Sequence, residues 1–539
     1  MGRPPFTEVA TLGDVLSRSA HERPDRLALV LPRQSTTFAE LQVSADRVAR
    51  SLIALGVEPG QHVAVLIPNC VEFAAALFGI SLIGAVAIPL NVRNRSIELQ
   101  FIIANSRAVA LITSDHPDDP IDFIATVKEA FPILACDGGE APNLRHLLLA
   151  RGGDRDEFTG AEAFLSQGDS ISEDVLDERR RRIRVRDPAL IIYTSGTTAN
   201  PKGCVLTHEA ATRGAIERSR YRLSVGDHNV TWGAGPLFHI GSLAPFIGSI
   251  GVAGTYLTDT FFEPERALRL MEQHGVTLAW PWFSAIVQGL IDHPTFDPNK
   301  LERLRHLFMI APPTLVDRVQ DVLPQTEVLQ ACGMTETAGI FALCGPDDSR
   351  YERSTTNGKA SPGIEVRIVD PETGIDNRDG VMGEIWVRGY NVMEGYWDSP
   401  EKTAEALTED RWLKTGDLYT RLPGGALIFG GRCKDMLKVG GENVAAIEVE
   451  AFLCTHPAVK TAEVVGRADP RLDEVPVAFV ELSDACSASE ADLIAHCKGR
   501  IANYKIPRAI YFLTADQWPM SATKIDKRAL RERVQELSR

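Results

Sequence analysis

Three apolar runs do most to limit what this chain can fold into: HVAVLIP at 62–68, AVALIT at 108–113 and ALIIYT at 189–194. None shows the apolar–polar alternation of a strand with one wet face, so each reads as a strand covered on both faces, as in a parallel sheet. Helical patterns such as SIELQFIIANS at 96–106 alternate with such runs from 28 to about 430, which is the order of a doubly wound α/β fold. At 539 residues the chain is also too long for one compact domain. Between 355 and 432 the texture changes to short β-rich runs, IEVRIVD, GEIWVRG and ALIFGG, separated by Gly, Asp and Pro, as in a small β-barrel. After GRCKD come a short helix with Val444, Ile447, Ala451 and Phe452 on one face, strands EVVGRAD and VPVAFVEL, a helix near 488–501 and strand AIYFL. The expected division is therefore residues 1–434, two α/β subdomains with the barrel subdomain, and residues 435–539, a small α+β domain.

FAAALFGISLIGAVAIPL at 73–90 is long enough to suggest a membrane span. Gly79, Gly84 and Pro89 favour instead a buried helix running through Gly84 into a short strand. The first residues hold no apolar signal region, and Phe6 stands where a myristoylation signal needs Ser or Thr. Neither export, a lipid anchor nor integral membrane association is expected. Nine cysteines, an odd and scattered set without a CxxC pair, read as reduced thiols of a cytoplasmic protein. The net charge of −15 argues against nucleic acid as a partner, since RRRRIRVR at 179–186 is the sole basic run and reads as a solvated connector. The sequence leaves a homodimer open.

The chemistry starts at YTSGTTANPKG, 193–203, directly after the buried strand. Thr194, Ser195, Thr197 and Thr198 supply hydroxyls, Gly196 lets backbone N–H groups approach an anion, and Lys202 adds a point charge. Such a loop suits phosphate oxygens. It is not a Walker A loop, because Gly203 follows the lysine and the GxxxxGK[ST] order is missing.

Five further segments stand in order: GPLFHIG at 235–241, ACGMTET at 331–337, WLKTGDL at 412–418, GRCKDMLKVGGENV at 431–444 and PMSATKI at 519–525. With them the chain resembles, over nearly its whole length, the adenylate-forming superfamily of acyl-CoA synthetases, aryl-CoA ligases, luciferases and peptide-synthetase adenylation domains. The resemblance implies an ATP-dependent acid–thiol ligase: a carboxylic acid attacks ATP to give acyl-AMP and pyrophosphate, and the thiol of coenzyme A then displaces AMP. It also implies a C-terminal domain that swings about Asp435 between the steps. Another acceptor, a carrier protein or oxygen, and a non-catalytic acyl-adenylate sensor remain as alternatives. CoA is favoured over a carrier because the chain stops at Arg539 with no appended carrier domain.

The same resemblance assigns residues. Thr335 contacts the α-phosphate and Glu336 holds Mg2+, a hard cation that prefers oxygen ligands. Ala311, Pro312, Ala331, Cys332, Gly333 and Met334 line the nucleotide site. Asp417 accepts from the ribose diol, with Arg432 as an added donor. Lys524 meets the charge that builds on the phosphoryl oxygens, where a positioned cation counts most. Gly440 and Gly441 leave room for the pantetheine arm, and Arg93 matches a position that meets a CoA phosphate in some relatives. His239 is either a wall of the acyl pocket or a satisfied core histidine, and Trp280, Trp282 and Phe283 are either pocket wall or plain core. Two departures stand out: Cys332 where relatives carry an aromatic residue, and Thr523 where they carry Gly before the lysine. The acid itself stays open among medium-chain, branched, aryl and sterol-side-chain acids.

Overall fold

The computed structural model describes residues 8–132, 141–194, 201–439, 442–469, 471–483, 486–501, 503–521 and 524–537. The chain divides into two units, residues 1–366 with 387–413, and residues 367–386 with 414–539.

Two seven-stranded sheets organise the first unit. In one, Glu327–Leu329, His306–Ile310, Leu278–Phe283, Val230–Gly233, Thr255–Leu257 and Leu27–Leu31 run parallel, and Gln34–Thr37 pairs antiparallel at the edge. In the other, His146–Arg151, Ala110–Ser114, His62–Val65, Val86–Pro89 and Pro188–Thr194 are parallel, and Lys202–Thr207 and Gly395–Tyr396 extend the sheet antiparallel. All three apolar runs fall in this second sheet, and their side chains are buried on both faces, as the absence of alternation requires, except at Tyr193 and Thr194, which are half-buried where the third run ends.

The long apolar stretch is the buried helix Val71–Leu82. It lies so close to the helix Phe38–Ala54 that a Cβ on Gly79 would stand 2.8 Å from the Ala45 carbonyl oxygen and from Val48. The helix does not run through Gly84 as expected. It stops at Leu82, and Gly84, at φ +73, makes the left-handed turn into Val86–Pro89. Among the described residues no helix is long and apolar enough to cross a membrane. The arginine run also differs from the connector reading. Arg179–Arg182 end the helix Glu173–Arg182, where Arg181 and Arg182 pair with Asp177 and Glu178 one turn back.

In the second unit, the β-rich region forms most of a four-stranded sheet ordered Ile364–Val369, Met382–Gly389, Leu413–Arg421, Leu427–Arg432. A further sheet is ordered Glu442–Ala445, Met436–Val439, Asp473–Leu482, Val459–Asp469, with Ile510–Phe512 parallel to Asp473–Leu482. Val444 belongs to the strand that precedes the helix Ala446–Leu453, not to the helix face the sequence suggested. Val449, Leu453, Val464, Val480 and Leu493 close one core, and Val465, Val477, Phe479, Leu530 and Val534 another beneath the helix Lys527–Leu537.

Candidate active site

The strand Pro188–Thr194 pairs antiparallel with Lys202–Thr207, with Thr194 opposite Lys202, so the hydroxyl-rich segment joins these two strands at one end of the sheet. Ser195, Gly196, Thr197 and Thr198 lie outside the described residues. Lys202, at the loop's return, places Nζ 3.2 Å from the Tyr396 hydroxyl and 4.2 Å from the centre of its ring. The other side of Tyr396 faces the acidic turn, where its hydroxyl donates to Glu336 Oε1 at 2.7 Å.

That turn is built from its own sequence. The strand Ala331–Met334 pairs with Gly339–Leu343, and Thr335–Thr337 form a short 3-10 turn between them. The Thr337 hydroxyl accepts the Met334 N–H at 3.1 Å and donates to the Gly339 carbonyl at 2.6 Å. Gly333 admits no side chain, because a Cβ there would stand 2.3 Å from that same carbonyl oxygen. Thr335 and Glu336 are consequently buried, at 8% and 7% exposure, and do not form an exposed polar loop. The segment 391–396 braces the turn: Asn391 Nδ2 donates to the Thr337 carbonyl, the Met393 N–H to the Glu336 carbonyl, and Tyr396 to the Glu336 carboxylate.

Glu336 makes no direct ion pair with Lys or Arg among the described residues; its carboxylate accepts from the neutral Tyr396 hydroxyl, on whose other side the Lys202 ammonium stands. Burial and the neighbouring Glu336 charge hold the Tyr396 phenol well above its ordinary range, which keeps it a neutral donor. Among the described residues no three His, Cys, Asp or Glu side chains gather as a metal cage.

Around this centre the remaining assigned residues are distributed unevenly. Ala311 donates its N–H to Gln330 Oε1, and Pro312 precedes the helix Pro313–Val322. Cys332 is only 4% exposed. His239 caps the helix Ile240–Gly251, its Nδ1 accepting the Gly241 N–H, while Trp282 Nε1 donates to the Gly241 carbonyl at 2.7 Å. Trp282 sits at φ +63, a conformation that a bulky residue adopts only when its surroundings impose it. Trp280 is core, stacked on Phe308 at 3.8 Å between ring centres. Asn69 fixes the loop that carries His239, accepting the Leu237 N–H and donating to the Gly235 and Asp259 carbonyls. Arg93 is exposed in the turn after Val86–Pro89.

In the second unit Asp417 and Arg432 face each other across paired strands, with Nε and Oδ1 3.3 Å apart. Asp435 pairs with Arg531 of the last helix. Lys524 lies in the short strand Lys524–Ile525 opposite Met520–Ser521, and its side chain is outside the described part. Gly440 and Gly441 are also outside the described residues.

Sequence reasoning missed Tyr396, Asn391 and Asn69. The run GYWDSP around Tyr396 carried a signal, an aromatic pair ahead of a turn, but nothing in it names a partner 60 residues away.

Comparison with known proteins bears on the chain as a whole. The AMP-binding enzyme family matches residues 16–397, and the AMP-binding enzyme C-terminal domain matches 448–524. A methyl-dioxo-octahydro-indenyl propanoyl:CoA ligase of Mycobacterium tuberculosis is 33% identical over 98% of this chain and 99% of its own. The mitochondrial medium-chain acyl-CoA ligase of Danio rerio is 29% identical over 98% of this chain and 88% of its own. The crystal structure of an anthranilate CoA ligase in complex with anthranoyl-AMP superposes with a TM-score of 0.85 at 25% identity, covering all of both chains. The chain belongs to the AMP-binding enzyme family.

Proposed function

We infer that the protein is an AMP-forming acid–thiol ligase that converts a carboxylic acid first to acyl-AMP and then to acyl-CoA. The observation that carries this reading is the buried Glu336, in no direct ion pair among the described residues and set across Tyr396 from Lys202 where the hydroxyl-rich loop returns to the sheet. A site with one lysine and one unneutralised carboxylate suits a nucleotide triphosphate with its divalent cation: the lysine takes phosphate oxygens, and the carboxylate takes the metal.

Adenylation begins when the acid's carboxylate attacks the α-phosphorus and pyrophosphate leaves. Lys202 and the 194–198 loop bind the phosphates, Thr335 lies against the α-phosphate, and Lys524 supplies positive charge where it develops. Glu336 would hold Mg2+, whose positive charge would favour departure of the pyrophosphate. Asp417 and Arg432 receive the ribose. The pair they form with each other holds both side chains in place for that role. For the second step residues 435–539 turn about Asp435, and the thiol of CoA, with Gly440 and Gly441 leaving room for the pantetheine arm and Arg93 for a CoA phosphate, attacks the acyl carbonyl and displaces AMP. His239 and Trp282, both fixed on Gly241, belong to the acyl pocket. Relatives that act on bicyclic propanoyl and medium-chain acids favour an apolar acid of that size.

A panel of carboxylic acids scored for pyrophosphate release, with and without CoA, tests the reading. With CoA, pyrophosphate, AMP and acyl-CoA in equal amounts are the expected result; without it, pyrophosphate is matched by acyl-AMP and no acyl-CoA forms. ADP as the nucleotide product would refute it.

A further inference from the structure

Lys202 and Glu336 carry opposite charges inside one small, largely buried site, yet no ion pair joins them among the described residues. What stands between them is a single oxygen. The Tyr396 hydroxyl accepts from Lys202 Nζ at 3.2 Å and donates to Glu336 Oε1 at 2.7 Å, and the tyrosine ring lies beneath the ammonium with its centre 4.2 Å from Nζ. A phenol has one proton to give and lone pairs to receive, so this orientation satisfies both neighbours without neutralising either.

The backbone around Tyr396 is tied to both neighbours. Gly395–Tyr396 is an edge strand paired with Val205 and Cys204 of the strand that begins at Lys202. The Tyr396 N–H is tied to Thr403 Oγ1, and Met393, two residues before Gly395–Tyr396, donates its N–H to the Glu336 carbonyl. One short segment thus registers the lysine strand against the acidic turn.

Resting on the ligase reading above, we propose that Tyr396 is a positioning residue, a neutral spacer that keeps Lys202 and Glu336 from pairing with each other so that one remains free for phosphate and the other for the metal. Without the hydroxyl, a flexible lysine and a buried carboxylate gain most by closing the gap, since an ion pair in a shielded site is strongly attractive. That pair would compete with both substrate groups at once. Partners that orient a metal-binding carboxylate typically cost 10–100-fold when removed.

The test is equilibrium binding of ATP, measured with and without Mg2+ and with no acid or CoA present, on wild type, Tyr396→Phe, Glu336→Gln and the double variant. Phe keeps the ring and its contact with the lysine, so the hydroxyl alone is removed. Tyr396→Phe is expected to fold with an unchanged Tm and to lose about 10–100-fold in Mg2+-dependent ATP affinity. The double variant should bind no worse than Glu336→Gln alone, because the tyrosine acts through the carboxylate. Unchanged Mg2+-dependent binding in Tyr396→Phe, effects that simply add in the double variant, or a Tyr396→Phe protein that does not fold would each overturn the proposal. Wild type that binds Mg2+ and ATP but releases pyrophosphate with no acid would refute the ligase reading and leave the spacer standing. Wild type that binds no ATP would end both.

Discussion

Each unit shelters carboxylates, and the two treat them in opposite ways. In the first, Glu336 is buried against a neutral phenol. In the second, Glu450 and Glu463 share the ammonium of Lys527, which pairs with Glu450 and stands 3.2 Å from Glu463, while Glu450 also accepts the Val464 N–H. The Asp435–Arg531 pair stands close enough for Asp435 to push both glutamates further up. A carboxylate neutralised by its own fold has its electrostatics completed at folding. One that accepts only from a neutral donor, with its nearest ammonium held one oxygen away, stays able to take a cation from outside, as the proposed function requires.

Removing the internal cation is the harshest way to break this contrast. Lys527→Met leaves two shielded carboxylates facing each other, and loss of one partner from a buried ion pair typically costs about 3–5 kcal/mol. Denaturant unfolding should show that loss in the second unit's transition, and more of it at pH 8 than at pH 5, where the glutamates can take up protons instead. An unchanged midpoint would mean that the cluster is solvated.

Lys524→Ala sharpens the contrast from the catalytic side. If Lys524 meets the charge that develops at the α-phosphate, adenylation should slow by ~10²–10³, roughly 3–4 kcal/mol, while a supplied acyl-adenylate and CoA still give acyl-CoA at near the wild-type rate. Single-turnover assays of the two half-reactions separate these outcomes, and equal slowing of both would point to a docking role.

Cys332→Tyr is a smaller perturbation. At 4% exposure the thiol occupies closed space, so the bulkier ring should overpack it by ~1–3 kcal/mol and lower the Tm. A stable variant with a lower KM for ATP would show that the site has room for a stacking ring after all.

Protonation gives the mildest effect. Burial, then the charge of Glu450, pushes the Glu463 carboxyl from 4.5 to about 7, against the pull of Lys527. Its folded pKa is above its unfolded one, so the native state binds more protons between those values, and stability is lost as pH rises through that window. The slope for one such group approaches about 1 kcal/mol per pH unit. Glu463→Gln should flatten the pH profile of unfolding there, whereas an unaltered profile would remove Glu463 from the linkage.

The parts of this picture that were legible in the sequence are those whose residues are neighbours along the chain. Thr194–Lys202 and Ala331–Thr337 each carry their chemistry in one continuous string, and the unbroken apolar runs announce a doubly covered sheet because side-chain period and burial are tied together in a strand. Tyr396 could not be read that way, since its partners are 60 and 194 residues distant and only the pairing of Gly395–Tyr396 with Cys204 and Val205 brings them together. The cluster of Glu450, Glu463 and Lys527 was hidden for the same reason. Gly84 and the Arg179–Arg182 turn failed differently: the residues were noticed, but a glycine inside an apolar run and arginines at the end of a helix each fit two local patterns, and packing chose between them.

The central claim is that Glu336 is held unneutralised for catalysis, and pyrophosphate release by Glu336→Gln tests it most directly. Set beside the protein's thermal unfolding, the measurement has a clear expectation: adenylation slowed by ~10² or more, with a Tm close to that of wild type, because Gln keeps the shape and can still accept from the Tyr396 hydroxyl. Wild-type pyrophosphate release, or a lowered Tm with both half-reactions slowed alike, would contradict the account.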